Sequence, residues 1–596
     1  MHGLQAMHPS AACDLQGAGN STVQGLDVNA SAAVRDQVVP PHRFYYLHNF
    51  AKALDWIRAR YGDILQPDEQ RFITAFRQLP QPSQALLVRL LMRKGPWFRV
   101  SKLVYDEIPD VVQAAQPLLN AGWLVEDAPL ALDELCGLLN KPELVELFAH
   151  CGVRASMRKA ELLAHVSALD VPAQPLGQWL SGRLCERAWR VELGALSQRL
   201  RVMFFGNLYQ DWSEFVLADL GIFQYEVVPF DASSRAFQCR EDVDTYLRLQ
   251  ACRDQIDEGL SVQEVETFLQ EAACANAWLE ARRQKILYRL GQACEKAQDY
   301  ALAERTYASC TYAGARHRHI RVLEKMGKVT QALALAETAH CSPESADEQQ
   351  KIARMLPRLR RSAGDKVAMR KALSIDIAQL RWDVELPLLE GAGSVEYVLR
   401  AHWHSAASPV FYVENTLFNA LFGLLFWDAI FAPVQGAFFH PFQSAPADFG
   451  APDFVARRQA WFDQGMRALD EGSYVQTIWE RFAHKQGVIS PYVAWSQITP
   501  ELLELALQCI PVAHLRAVFG RMQADVKNHR TGFPDLIRFW PQEARYELVE
   551  AKAPGDKLQD NQILWLEHFV AHGIPARVCH VHWRVDSRVD SPAEAL

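Results

Sequence analysis

The stretch Thr531-Gly-Phe-Pro-Asp535-Leu-Ile-Arg538, followed by Glu547-Leu-Val-Glu550-Ala-Lys552-Ala-Pro-Gly-Asp556-Lys557, decides what kind of domain ends this chain. Both runs have the period of two expected of strands, over Phe533–Trp540 and Tyr546–Ala553, with the turn Pro541-Gln-Glu-Ala544 between them. Residues i and i+2 of a strand share a face, so Glu550 and Lys552 point together while Val549 and Ala551 turn into the core. Asp535 opens the neighbouring strand after Gly532 and Pro534, where a bend swings its carboxylate toward the same face. Two carboxylates held this close repel unless a cation lies between them, and Mg²⁺ demands oxygen ligands. Such an ion binds a phosphate oxygen and lowers the pKa of a bound water. A lysine beside it orients the water and offsets the charge of the phosphorane. An isolated Asp…Glu-x-Lys is often only surface charge. Here the Pro-Asp turn, the strand pair and the Pro554-Gly555-Asp556-Lys557 turn opening a helix with Gln562 favour a phosphodiester-cleaving centre.

Around this pair the pattern predicts helices over Val395–His402, Thr416–Phe431, Phe454–Leu469, Val475–Phe482 and Thr499–Ala524. Asp556–His572 reads as a helix ended by Gly573, and Ala576–Trp583 as a closing strand. Helix, hairpin, helix and strand in that order make a restriction-endonuclease-like (PD-(D/E)xK) α/β domain, assigned to residues 394–590. The two histidines of Cys579-His-Val-His582 fall in the closing strand and read as strand residues rather than metal ligands. Leu417–Pro433 is the most apolar stretch, but Asn419 and Asp428 interrupt it, so it reads as a buried helix and not a membrane span.

The whole chain of 596 residues is too long for one core, and about three to five domains follow. A formal net charge of −8 argues against a generally basic nucleic-acid binder, so any DNA surface must be local. Its 12 cysteines are scattered without a CxxC pair, which reads as reduced thiols of a cytoplasmic protein. Residues 1–41 lack both an apolar core and a basic leader and read as a disordered extension.

The N-terminal and middle regions read as mainly α-helical. Within 42–130, a helical, winged-helix-like region, the basic residues Arg89, Arg93, Lys94, Arg99 and Lys102 interleave with Trp97, Phe98 and Tyr105 around Gly95-Pro96. That mixture suits phosphate contacts with ring packing. In 131–170, Leu132–Leu138 and Lys141–Leu147 pair as short helices, followed by Arg154, Arg158 and Lys159, and resemble a SAP module. After Pro172-Ala-Gln-Pro175, residues 176–385 read as helical. There Leu290-Gly291, Asp299-Tyr300, Ala303 and Tyr307, then Gly327-Lys328, Ala332 and Ala336, fit tetratricopeptide-type pairs or a general helical scaffold. Arg354–Lys371 is a second basic strip, equally readable as a solvated helix.

Gly532-Phe-Pro-Asp535-Leu, Glu550-Ala-Lys552-Ala-Pro-Gly-Asp556-Lys557-Leu and Gln562 closely resemble the VRR-NUC nuclease domain. Arg89-Leu-x-x-Arg93-Lys94-x-x-Trp97, Lys102-Leu-x-Tyr105-x-Glu107-Ile, the SAP-like hairpin and the repeat-like region follow the order of Fanconi-associated nucleases, in a bacterial-type member. The resemblance implies a structure-specific 5′ flap endonuclease and 5′→3′ exonuclease of interstrand-crosslink or flap repair. It implies Mg²⁺ or Mn²⁺, 5′-phosphate products, branched or flap DNA as partner, and neither membrane nor small-molecule cofactor. Asp535, Glu550, Lys552 and Gln562 take the catalytic positions; Asp535, Glu550 and the Ala551 backbone carbonyl take metal positions. The family's helix-borne third carboxylate falls on Glu414, with Glu396 as the competing position, and Lys557 joins the DNA-contacting residues. A Holliday-junction resolvase and a non-catalytic DNA-binding scaffold are the rival readings.

Overall fold

The computed structural model describes residues 43–584 apart from 168–170, 182–185, 215–223, 260–261, 272, 365–376 and 388–393. The extension assigned to residues 1–41, and Lys366, Arg370 and Lys371 of the second basic strip, lie outside the described residues.

The N-terminal core is a helical layer on a small sheet. Helices Tyr45–Tyr61, Pro67–Gln78, Gln81–Leu91 and Val111–Asn120 bury Phe50, Leu54, Phe76, Leu87 and Leu118. Strands β1 (Trp97–Arg99), β2 (Leu124–Glu126) and β3 (Ala188–Val191) form an antiparallel sheet in the order β1-β3-β2. The central strand thus comes from a segment expected to be helical. Ala188-Trp-Arg-Val191 is too short for its alternation to stand out, and β1 and β2 hold it from both sides. The helices Leu132–Leu138, Lys141–Leu147 and Lys159–Ser167 close over a separate small core of Leu135, Leu144, Leu162 and Trp179.

Five antiparallel helices follow: Ala277–Lys296, Tyr300–Ala308, Ala315–Lys325, Val329–Cys341 and Ala346–Ser362. Their close spacing depends on small residues at the crossings. A Cβ on Gly291 would stand 2.6 Å from the Tyr307 ring, so only glycine lets the first two helices pack as they do.

The C-terminal sheet runs β4 (Arg381–Pro387), β8 (Ala576–Arg584), β7 (Arg545–Lys552), β6 (Leu536–Trp540) and β5 (Val410–Tyr412). β6 and β7 are the antiparallel hairpin, while β8 is parallel to both β7 and β4. Alternation splits the side chains between two cores. Ile537, Phe539, Leu548 and Val578 face a large aromatic core with helices Leu417–Leu425, Gln459–Glu471, Val512–Ala524 and Asp560–Ala571. Leu536, Val549, Ala551 and Cys579 face the smaller core beneath helix Val395–Trp403.

Several expected boundaries move: the helix expected over Thr416–Phe431 is two, Leu417–Leu425 and Trp427–Ile430, and the one expected over Asp556–His572 begins at Asp560. β4 lies inside the region assigned to helical repeats, because its charged Arg381, Asp383 and Glu385 hide the strand until β8 pairs with it. The single helix expected over Thr499–Ala524 is two helices, Pro500–Cys509 and Val512–Ala524, bent by 107°. Pro511 lacks the amide hydrogen that a continuous helix needs. Helix Leu417–Leu425 is buried along its whole length, and among the described residues no single helix is long and apolar enough to cross a membrane.

Candidate active site

Strand register explains how Asp535 and Glu550 meet. Leu536 pairs with Val549, so one further step places Asp535 opposite Glu550, and opposed residues share a face. The β6 ladder ends there, and the freed Ala551 amide donates to Asp535 Oδ2 at 2.8 Å. An extended residue directs its amide and carbonyl to the same edge, so the Ala551 carbonyl also faces Asp535. The turn leading into β6 needs Gly532 (φ +91°), where a Cβ would stand 2.8 Å from the Asn561 backbone.

Glu550 is 1% exposed and its Oε1 accepts from Lys552 Nζ at 2.8 Å and from Gln562 Nε2 at 2.5 Å. Lys552 also donates to Gln562 Oε1 at 3.3 Å, which closes a three-residue ring. Gln562 sits in the first turn of helix Asp560–Ala571, where its Oε1 accepts from the Gln559 amide at 2.9 Å.

Glu414 arrives from the end of β5. The Tyr412 hydroxyl donates to its Oε2, and Asn415 Nδ2 donates to its Oε1 at 3.2 Å. Asn415 has φ +52°, a left-handed conformation that asparagine tolerates. Its Oδ1 accepts from the Phe533 amide at 3.2 Å, tying the Glu414 loop to the turn before Asp535. Tyr412 and Asn415 were not foreseen. Their only local signal is Tyr-x-Glu-Asn at the head of an apolar helix, and that pattern has many innocent causes.

Burial and the fields of Glu414 and Glu396 push Asp535 up to about 6, against the Ala551 amide and Lys552. Burial, then Asp535, pushes Glu550 up to about 8, against its bond with Lys552. Glu414 acts on both carboxyls, and on Asp535 more strongly than Glu396 does. Carboxylates thus outnumber the one ammonium in a buried space.

Among the described residues no three His, Cys, Asp or Glu side chains stand together at chelating distance. Glu550 is turned to Lys552 and Gln562, and Glu414 to Tyr412 and Asn415. The donor set nonetheless fits a hard divalent cation: it is all oxygen, partly buried and short of positive charge.

The expected DNA-contacting residues divide. Arg89 pairs with Glu107 (Nε to Oε1, 2.8 Å) and lies 4.0 Å over the Tyr46 ring. Arg99 bonds Glu186 at 2.9 Å and Glu143 at 2.7 Å with 11% of its side chain exposed. Trp97 is buried in the core under the SAP-like helices. Ion pairs and apolar packing thus engage these three side chains within the protein, Arg89 with 28% of its side chain still exposed. Arg93, Lys94, Lys102, Arg154, Arg158, Lys159 and Lys557 are exposed. In the second basic strip Arg354, Arg358 and Arg360 pair with Asp560, Glu324 and Glu337.

Family models match the chain in three places: FAN1, HTH domain, over residues 44–125; Fanconi anemia-associated nuclease SAP domain, over 129–179; and VRR-NUC domain, over 469–583. A Fanconi-associated nuclease 1 homolog from Pseudomonas aeruginosa is 48% identical over 548 residues, covering 92% of this chain and 97% of that one. The Arabidopsis thaliana homolog is 25% identical, covering 91% and 67%. A crystal structure of paFAN1 bound to DNA with a 2-nucleotide 5′ flap and a gap superposes with TM-score 0.83 at 48% identity, over 92% of this chain and 100% of that one. A second, with a 1-nucleotide flap, gives 0.81 over 91% and 100%.

Proposed function

The chain belongs to the Fanconi-associated nuclease family, and on that premise we propose that it is a 5′ flap endonuclease and 5′→3′ exonuclease of crosslink or flap repair. One observation carries the reading. Asp535, Glu550, Lys552, Gln562 and Glu414, drawn from the turn before β6, from β7, a helix and a distant loop, converge at one end of the sheet. The flap DNA bound by paFAN1 supports the choice of substrate.

Asp535, Glu414, Glu550 and the Ala551 carbonyl would hold Mg²⁺ or Mn²⁺. The chemistry such an ion supplies is Lewis acidity at a phosphate oxygen and a water of lowered pKa. Lys552, fixed by Glu550 and Gln562, directs its ammonium at the attacking water and then at the charge on phosphorus. Gln562 limits the rotation of both partners. Water adds to phosphorus, the bond to the 3′ oxygen breaks, and the products are a 5′ phosphate and a 3′ hydroxyl. Arg93, Lys94, Lys102, Arg154, Arg158, Lys159 and Lys557 supply backbone contacts, which read junction shape rather than base identity. Arg89, Arg99 and Trp97 shape the N-terminal surface from within.

The test is a panel of labelled 5′ flap, 3′ flap, four-way junction and single-stranded DNA, each with and without Mg²⁺. Metal-dependent cutting of the 5′ flap in preference to the others is expected. Preferential cutting of the four-way junction would replace flap processing by junction resolution.

A further inference from the structure

Tyr397 stands out because a large aromatic side chain is 55% exposed beside a buried chemical centre. It lies on helix Val395–Trp403, whose inward residues Val395 and Leu399 are buried in the core under the sheet. One face of its ring stacks on Tyr412, with centroids 5.8 Å apart and planes 17° from parallel. Tyr412 in turn donates its hydroxyl to Glu414. Burial raises the Tyr412 hydroxyl first, and its bond to Glu414 and the fields of Glu414, Asp535 and Glu396 raise it further. Two stacked rings therefore run from solvent to the Glu414 carboxylate.

We infer that Tyr397 is a stacking platform for a nucleobase adjoining the phosphate that is cut. The inference rests on the nuclease reading of the carboxylate centre and adds a ligand-binding surface to it. Phosphate contacts alone leave a flexible single strand free to slide and rotate. A ring stacked beside the centre removes that freedom for one nucleotide. Stacking on an aromatic face accepts any base, which suits an enzyme that reads DNA shape. Tyr412 serves two purposes: it backs the platform ring, and it orients Glu414. The neighbouring Glu396 would repel a backbone phosphate, so the exposed ring suits the uncharged base better than the phosphate chain.

The experiment uses the full chain, EDTA buffer and 5′ flap DNA with 2-aminopurine at successive positions on either side of the junction. Quenching at one position is expected in the parent and in Tyr397→Phe. Tyr397→Leu is expected to lose that quenching and to bind the flap about tenfold more weakly. An abasic nucleotide at the quenched position is expected to weaken the parent equally and to erase the difference between parent and Tyr397→Leu. Parent protein that binds the flap but quenches no position overturns the platform and leaves the nuclease reading standing. So does a Tyr397→Leu defect that persists on the abasic flap. Failure of the parent to bind any flap DNA overturns both.

Discussion

Two stretches of this chain carry charged residues that read as functional, and the fold treats them differently. Around Asp535, Glu550 and Lys552 it joins Asp535 to the Ala551 amide and Lys552 to Glu550. Around Arg89, Arg93, Lys94, Arg99 and Lys102 it separates them, pairing Arg89 and Arg99 with acids and leaving the three others exposed. The difference lies in what places each side chain. Strand pleating and a short hairpin act within 16 residues, the separation of Asp535 from Ala551. Arg99 is placed by Glu143 and Glu186, acids 44 and 87 residues away. A local rule places Asp535 and Glu550; a remote encounter places Arg99.

The contrast can be tested by substitution, beginning where the effect is largest. Asp535→Asn should reduce metal-dependent flap cleavage roughly a thousandfold or more while flap binding is retained, measured by single-turnover kinetics and fluorescence anisotropy. Near-normal cutting would remove Asp535 from the centre. Glu414→Gln should cost about a hundredfold and Glu396→Gln only a few-fold, since the Val413 amide, next to Glu414, bonds the Asp535 carbonyl at 2.8 Å. The reverse order would move the third carboxylate to helix Val395–Trp403. Tyr412→Phe should raise the Mg²⁺ concentration for half-maximal cutting about tenfold, because Glu414 loses the hydroxyl that orients it.

Arg99→Ala tests the other stretch. It leaves Glu143 and Glu186, with side-chain exposures of 16% and 6%, without their shared guanidinium partner. Denaturant unfolding of the N-terminal region should show a loss of about 2–3 kcal/mol. The smallest effect belongs to the exposed residues. Arg93→Ala with Lys94→Ala should weaken flap binding less than about tenfold and reduce the salt slope by about two. Arg89→Ala should leave that slope unchanged, and an equal change in both variants would erase the division drawn between them.

Much of the centre was legible in the sequence. Glu550 and Lys552 announce themselves by i, i+2 spacing, and the turn Pro541–Ala544 sets the register that brings Asp535 opposite Glu550. The apolar run from Leu417 reads correctly as a buried helix. Less legible were β3, β4 and β5, which are too short or too charged to show a pattern before their partners arrive. Tyr412 and Asn415 act by supporting Glu414 and the Phe533 amide, and no spacing rule marks a supporting residue.

By itself the sequence determined the strand pair, the shared face of its carboxylate and lysine, and the class of chemistry proposed for them. Sterics and pleating settle those over a few residues. Only the tertiary structure decided that Asn415 and Phe533, 118 residues apart, would bind and deliver Glu414 beside Asp535. It also decided which arginines stay in water, and that Tyr397 presents an open ring beside the centre. Those outcomes depend on which distant surfaces become buried together, and a side chain's neighbours in sequence carry no record of them.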